Sequence, residues 1–397
     1  MENGEYMKRT IKDFDLNNKR VIIRVDFNVP INNFEITDDS RIQASLETIT
    51  YAINQNAKVI LMSHLGRVKT LEDKETKSLE IVAKRLSTLL NQEVKFVKET
   101  RGELLEKSIS NLNPGEVLLM ENTRFEDLNE KSESNCNMDL ASYWASLGDI
   151  FINDAFGTIH RKHASNVGIS SILPNGIGFL VEKEISNLSS LKDNPERPYL
   201  VILGGAKISD KIKLVENLVK KADHVLIGGA MAFTFLKSEG YSIGSSMVDD
   251  ESLDFCANLL KEYENKIILP IDVICAKEAT NDANVRICDI NNIELDEMGL
   301  DIGPNTINIF KKYINESNSI FMNGTMGLSE IDKFKNGTIK IFEAIEGKNT
   351  IIGGGDTAGQ VKNFGFENYK HISTGGGASL EFLQGNVLPG LEAINEL

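Results

Sequence analysis

The sequence predicts an α/β protein with two doubly wound parallel sheets, one in each of two domains joined by an interdomain helix and hinge. Three observations lead there. The chain has 397 residues, and at roughly 100–200 residues per domain it can build about two cores. Short β-branched runs alternate with longer amphipathic stretches from end to end, the pattern of strand and helix units with parallel strands. Near the middle, one stretch with helical spacing is stopped by Pro195 and Pro198, because proline lacks the backbone donor and crowds the preceding turn.

Taken in order, strand-like runs in the first half go from Val21 to Val25, Lys58 to Met62, Glu116 to Met120 and Asp149 to Asn153. Helical spacing is clear from Ser78 to Leu90 and again from Phe179 to Lys192. The latter is a semi-rigid connector, which suits bodies that move about a hinge. In the second half the runs go from Tyr199 to Leu203, His224 to Gly228, Lys266 to Pro270, Ser319 to Met322 and Asn349 to Ile352, with helices expected over 253–263 and 339–345. The expected boundaries are 1–180 for an N-terminal domain, 181–197 for the interdomain helix and hinge, and 198–384 for a C-terminal domain. Both domains are thus Rossmann-like in layout.

Composition narrows the function. With 41% apolar and 25% charged residues neither disorder nor a fibrous fold is indicated. A net charge of −15 repels a polyanion, so nucleic acid is not an expected partner. The four cysteines, Cys136, Cys256, Cys275 and Cys288, form no C-x-x-C pair and fit a reducing compartment. No apolar run reaches the roughly 18 residues of a membrane span, and no signal-like segment opens the chain. A cytoplasmic location with no membrane partner is expected.

Of eleven arginines nine lie at or before Arg161, and guanidinium forks match carboxylate and phosphate oxygens. Ligands of open parallel sheets bind beyond the carboxyl ends of strands. In the first half those ends carry Asp26-Phe27-Asn28, then His64-Leu65-Gly66-Arg67, then Arg124, then His160, Arg161 and His163, while Arg41 opens the helix after the first loop. Several consecutive strand ends that deliver Arg or His to one rim point to an anion site.

The second half repeats strand, glycine cluster, helix: Gly204-Gly205, Gly228-Gly229, Gly353-Gly354-Gly355-Asp356-Thr357 and Gly375-Gly376-Gly377. Glycines admit phosphate oxygens close to the backbone, and the following helix offers free N–H groups. No Walker P-loop is present. Gly353 to Ala358 fits G-x-G-x-x-A, yet Asp356 would repel bound phosphates unless a divalent cation lay between them, and the acidic residue expected about 20 positions on is missing. Magnesium-bound ATP or ADP is therefore preferred to NAD. Lys207 and Lys211, four apart beside the Gly204-Gly205 turn, are spaced to reach one phosphate chain.

These segments, from Arg24-Val-Asp-Phe-Asn-Val-Pro30 through Gly204-Gly-Ala-Lys-Ile-Ser-Asp-Lys211 to Ser373-Thr-Gly-Gly-Gly-Ala-Ser-Leu-Glu381, resemble the phosphoglycerate kinase family in order and spacing. The resemblance implies a glycolytic phosphotransferase that moves a phosphoryl group reversibly from 1,3-bisphosphoglycerate to MgADP, giving 3-phosphoglycerate and MgATP, by hinge closure of a monomer. It implies that Asp26, Phe27, Asn28, Arg41, His64, Leu65, Gly66, Arg67, Arg124 and Arg161 bind 3-phosphoglycerate. Lys211, Gly229, Glu330, Gly353, Gly354, Gly355, Asp356 and Thr357 would bind the nucleotide, Asp356 through Mg2+. Arg41, Lys207, Gly376 and Gly377 would act on the phosphoryl group in flight, and 385–397 would return to the N-terminal domain. The chain departs from the family at Phe321, where a tryptophan is common, and along Gly324 to Glu330. A nicotinamide-dependent oxidoreductase and a non-catalytic nucleotide binder remain the competing readings.

Overall fold

The computed structural model describes residues 8–397. Its chain forms two compact units, one running to Ile185 and taking in Val387–Leu397, the other Ser186–Asn386. The helix Phe179–Asp193 carries the chain from one to the other.

The first unit contains β1 (Arg20–Val25), β2 (Ile31–Asn32), β3 (Glu35–Ile36), β4 (Lys58–Met62), β5 (Val94–Val97), β6 (Val117–Met120), β7 (Ile150–Asp154) and β8 (Asn175–Ile177). Six of these make a sheet in the order β5-β6-β4-β1-β7-β8, parallel throughout. Helices cover both faces, so β1 is a continuous apolar run instead of an alternating one. Val21, Ile23 and Val25 enter one core with Leu86, and Ile22 enters the other with Trp144 and Phe151. The strand order reverses at β1, with β4 on one side and β7 on the other, and such a switch point leaves a crevice beyond the strand tips. Register keeps those tips level: Arg24 pairs with Met62 and with Asn153. The antiparallel β2–β3 hairpin leads into the short helix Ser40–Ala44, which carries Arg41. The end of the chain closes this unit, with the Gly390 N–H donating to Ile159 O at 2.8 Å and the Arg9 N–H to Asn395 O at 3.0 Å.

The second unit contains β9 (Tyr199–Leu203), β10 (His224–Ile227), β11 (Ile267–Ile268), β12 (Asp272–Ala276), β13 (Arg286–Asp289), β14 (Met298–Ile302), β15 (Ser319–Asn323), β16 (Thr350–Ile352) and β17 (His371–Ile372). Its main sheet runs β11-β10-β9-β15-β16-β17, again all parallel. The two parallel sheets expected from the sequence are thus present. The switch point lies at β9, between β10 and β15. An antiparallel sheet β13-β12-β14 was not anticipated. Its strands are short, and β13 is half exposed, so they carry little of the apolar signal that marks a buried parallel strand. The run from Lys266 to Pro270 narrows to Ile267–Ile268 at the sheet edge. Among the described residues no helix is long and apolar enough to cross a membrane.

Candidate active site

In the first unit the tips of β1, β4 and β6 are laced together by their own polar residues. Phe27 N–H donates to Ser63 Oγ at 2.8 Å and Gly66 N–H to Asn28 Oδ1 at 2.8 Å. Asn122 braces the next loop, accepting from Leu65 N–H at 3.1 Å and donating to Leu65 O at 2.8 Å. The side chains of Phe27 and Leu65 are buried in the core, so these two residues position the loops through their backbone. On that frame Asp26 pairs with Arg41, Oδ2 to Nη1 at 2.5 Å, and His64 Nδ1 stands 4.0 Å from Asp26 Oδ1. Burial opposes the Asp26 charge, but Arg41, His64 and Arg24 outweigh it and hold the carboxyl below its ordinary value.

The field here is strongly positive. Burial, then Arg24, Arg124 and Arg161 working against Asp26, push His64 well below the ordinary imidazole range. Burial and Arg161 hold His160 at about 4, and burial with Arg24, Arg124 and Arg161 holds His163 at about 3. All three imidazoles are neutral near pH 7, leaving the arginines to carry the charge. Neutral His160 accepts from Arg161 Nε at its Nε2, 3.1 Å away, so its proton sits on Nδ1. That Nδ1 and Arg124 Nε are buried with no hydrogen-bond partner among the described residues. A buried donor without a protein partner is a place where a water, an ion or a ligand takes the bond. Arg67 and Arg161 are exposed. His163, expected at the rim, is instead sunk beside Glu133, Nδ1 to Oε1 at 3.8 Å.

The second unit opens a cavity of about 720 Å³ at the tips of its central strands. Lys207, Lys211, Gly229, Glu330 and Asp356 line it, as do Gly354, Gly355, Thr357, Gly376 and Gly377. The floor depends on close backbone approach: Gly324 has φ +95°, and a Cβ there would lie 2.2 Å from Gly204 O, a conformation and spacing that favour glycine. Thr357 Oγ1 accepts the Gly324 N–H at 2.7 Å, tying the loop after β15 to the helix Gly355–Asn363. Gly353 does not line the cavity; Phe321 stands 2.6 Å from where its Cβ would be. Lys207 and Lys211 are not on one regular helical turn, because Ser209–Lys211 is a 3-10 turn that precedes the helix Ile212–Lys221. Lys211 Nζ donates to Gly204 O at 2.7 Å, and burial lowers its pKa to about 8 against the opposing pull of Asp210 and Asp356.

Sequence reasoning missed two parts of this machinery. Arg24, read only as part of a motif, is buried and donates to His64 Nδ1 at 3.3 Å and to Ser165 Oγ at 2.9 Å. A charged residue inside an otherwise apolar strand was the available signal. The apolar wall of the cavity, with Phe233, Val273, Met298 and Leu300, comes largely from the antiparallel strands and had no signal of its own.

Comparison with known proteins agrees with this layout. The family model for phosphoglycerate kinase matches residues 11–386. The phosphoglycerate kinase of Fusobacterium nucleatum is 54% identical over 396 residues, covering 98% of this chain and 100% of the relative; that of Enterococcus faecalis is 52% identical over 394 residues, covering 98% and 99%. Among solved structures, phosphoglycerate kinase from Coxiella burnetii superposes with a TM-score of 0.88 at 37% identity, over 97% of this chain and 98% of that one. The enzyme from Pyrococcus horikoshii gives 0.84 at 31%, over 97% and 98%. Matches of this identity over nearly the whole length, on a chain with these two strand-tip sites, mean that it belongs to the phosphoglycerate kinase family.

Proposed function

We propose that this chain catalyses reversible phosphoryl transfer from 1,3-bisphosphoglycerate to ADP, yielding 3-phosphoglycerate and ATP, as a cytoplasmic monomer. The observation that carries the reading is the pair of buried, unpartnered donors, Arg124 Nε and His160 Nδ1, at a rim where burial, and then the surrounding arginines, depress His64, His160 and His163. Such a site takes a small polyanion. Asp26, Asn28, Arg41, His64, Arg67, Arg124 and Arg161 hold the glycerate, while Phe27, Leu65 and Gly66 set the loops that carry them.

In the other unit Lys211, Glu330, Gly229 and the turn Gly354 to Thr357 hold the nucleotide, its base against the apolar wall, with Gly353 seating that turn against Phe321. Asp356 is the one carboxylate at that turn, and Mg2+ typically takes one or two protein carboxylates together with phosphate oxygens and waters. The donor set therefore fits Mg2+, which when bound neutralises charge on the phosphates. Arg41, Lys207 and the amides of Gly376 and Gly377 act on the group in flight.

Transfer of this kind requires positioning, cationic stabilisation and exclusion of water, and little covalent work from the protein. The carboxylate of 3-phosphoglycerate is already a nucleophile, so no general base is required, in keeping with imidazoles whose basicity burial lowers. Hinge closure brings the two bound ligands into line and sheds water. A nicotinamide site is disfavoured because β17, beside β16, is followed by Ser373 and Thr374 where a ribose-binding carboxylate would stand. The test is a coupled assay with 3-phosphoglycerate and MgATP, with and without EDTA. Turnover that EDTA abolishes is expected; well-folded protein without turnover would sink the reading.

A further inference from the structure

The antiparallel sheet of the second unit brings together three metal-ligating side chains that the phosphoryl-transfer chemistry does not use. Cys275 comes from β12, Cys288 from β13 and Glu297 from the residue just before β14. Their two Sγ atoms and a carboxylate oxygen lie within 4.8 Å of one another, and all three residues are buried. We propose that Cys275, Cys288 and Glu297 form a binding site for a thiophilic divalent cation of the Zn2+ type, stapling the three strands that wall the nucleotide cavity.

The geometry is close to what such an ion needs. Tetrahedral zinc with Zn–S of about 2.3 Å and Zn–O of about 2.1 Å places its ligand atoms roughly 3.5–3.8 Å apart, so a contraction of about 1 Å closes the site. Buried cysteines alone pack as small apolar groups, but here a buried carboxylate that also accepts the Glu294 N–H through Oε2 at 3.4 Å stands beside them. That carboxylate is held from behind: Arg286 Nε donates to Glu297 Oε1 at 3.2 Å, and Arg286 Nη2 pairs with Oε2. Oε1 accepts only that one bond among the described residues and keeps a lone pair for a metal. A partner of this kind orients a ligating carboxylate and tunes its basicity.

Charge also closes. Uptake of M2+ forms two M–S bonds and one M–O bond, and the two thiol protons leave to the buffer. Two thiolates and the Glu297 carboxylate supply three negative charges, against two from the ion and one from Arg286. The ion, its three buried ligands and the partly exposed Arg286, which also faces Glu294 at 3.8 Å, then sum to no net charge, whereas a hard ion such as Mg2+ gains nothing from the thiolates. A water completes the fourth position. Since β12 and β14 also supply Val273, Met298 and Leu300 to the cavity, the ion braces that wall without touching the nucleotide phosphates.

The test uses the reduced, EDTA-stripped full chain with Zn2+ or Co2+ added in the presence of excess Mg2+. One equivalent of zinc should be retained, and cobalt should give a thiolate-to-metal charge-transfer band. The melting temperature should rise by about 5–10 °C at a free zinc concentration near 100 times Kd. Cys275→Ala with Cys288→Ala should abolish uptake and the band, while Cys136→Ala, in the other unit, should leave both intact. Arg286→Gln, at a partly exposed position, should weaken zinc binding by about 10–100-fold. If the double variant does not fold, the cobalt band of the unaltered chain and the Arg286→Gln titration decide. No retained zinc, uptake unchanged in the double variant, a cobalt spectrum without sulfur character, or oxidation of the pair to a disulfide by a disulfide donor with no metal uptake by the reduced chain would each overturn the proposal.

Discussion

The Asp154 carboxylate at the tip of β7 accepts the Leu180 N–H at 3.0 Å and the Val181 N–H at 3.3 Å through the same oxygen, Oδ1. It thereby caps the first turn of the helix Phe179–Asp193, where N–H groups lack intrahelical partners. Burial outweighs the amide donors and pushes this carboxyl up to about 7. The folded state therefore binds the proton more tightly than the unfolded state. Its stabilisation is complete below the unfolded value of 3.8 and is lost as pH rises toward about 7. Asp154→Asn keeps an oxygen acceptor and removes the titration. It should flatten the fall in stability across that window and add about 1 kcal/mol at pH 8, roughly 2–4 °C in Tm. Some slope should persist, because burial also pushes Asp301 up to about 7. Thermal melts from pH 4 to 8 check this; an unchanged slope would mean that Asp154 does not titrate there.

Arg41 is held by Asp26 at the tip of β1, so it is already in place for the proposed substrate. Arg41→Ala should lower kcat by about 10²–10³ and raise the KM for 3-phosphoglycerate by less than about tenfold. Arg67→Ala and Arg161→Ala should show the opposite division. A pure KM effect from Arg41→Ala, measured by steady-state kinetics, would remove it from the transition state.

Asp356→Asn should weaken MgADP binding by at least about tenfold, comparable with the loss of a metal-supporting partner. Binding of 3-phosphoglycerate should persist. Asp356 also raises the Lys211 pKa against burial, so the alkaline limb of kcat/KM should move to lower pH in the variant. Calorimetry with each ligand and a pH profile between 6 and 10 separate this from a loss of fold, which would weaken both ligands equally.

Gly354 has φ +89°, and a Cβ there would lie 2.3 Å from Asn323 Nδ2, which donates to Gly353 O at 2.8 Å. Gly354→Ala must strain the turn or displace Asn323, a cost of roughly 1–3 kcal/mol. Nucleotide affinity should fall more than about tenfold while the glycerate site is spared. Equal affinity for MgADP in the variant would show that the turn is not formed as described.

Much of this architecture is legible in the chain because buried parallel strands must be apolar on both faces, and runs such as Val21 to Val25 and Tyr199 to Leu203 advertise that directly. The polar tips follow, since a charged residue after such a run has no structural need to be there. What escapes is what lacks contrast. The edge strands Val94–Val97, Asn175–Ile177 and His371–Ile372 are short, and β13 alternates too briefly to stand out. Among the proposed site residues, Arg41 and Asp356 stand out in the sequence by position. The partnership of Arg24 with His64 and the caging of His163 by Glu133 depend on contacts between segments 40 and 30 residues apart, which local pattern cannot carry. Gly353 shows the limit of the pattern: its place in a glycine run suggests phosphate contact, whereas in the structure it packs against Phe321 and is not among the residues that line the cavity.

The return of Val387–Leu397 to the first unit bears on how the protein is made. A ribosome finishes the first 185 residues well before it supplies the Gly390 N–H that bonds to Ile159 or the Asn395 carbonyl that receives the Arg9 N–H. At about 5–20 residues per second, translation of the intervening segment takes roughly 10–40 s. During that time the second unit, whose segment is continuous, can complete itself as soon as it emerges, while the first waits with its last seam open. The later-synthesised half is thus the first able to finish folding, and the nascent first half spends the interval as a client that chaperones can still engage.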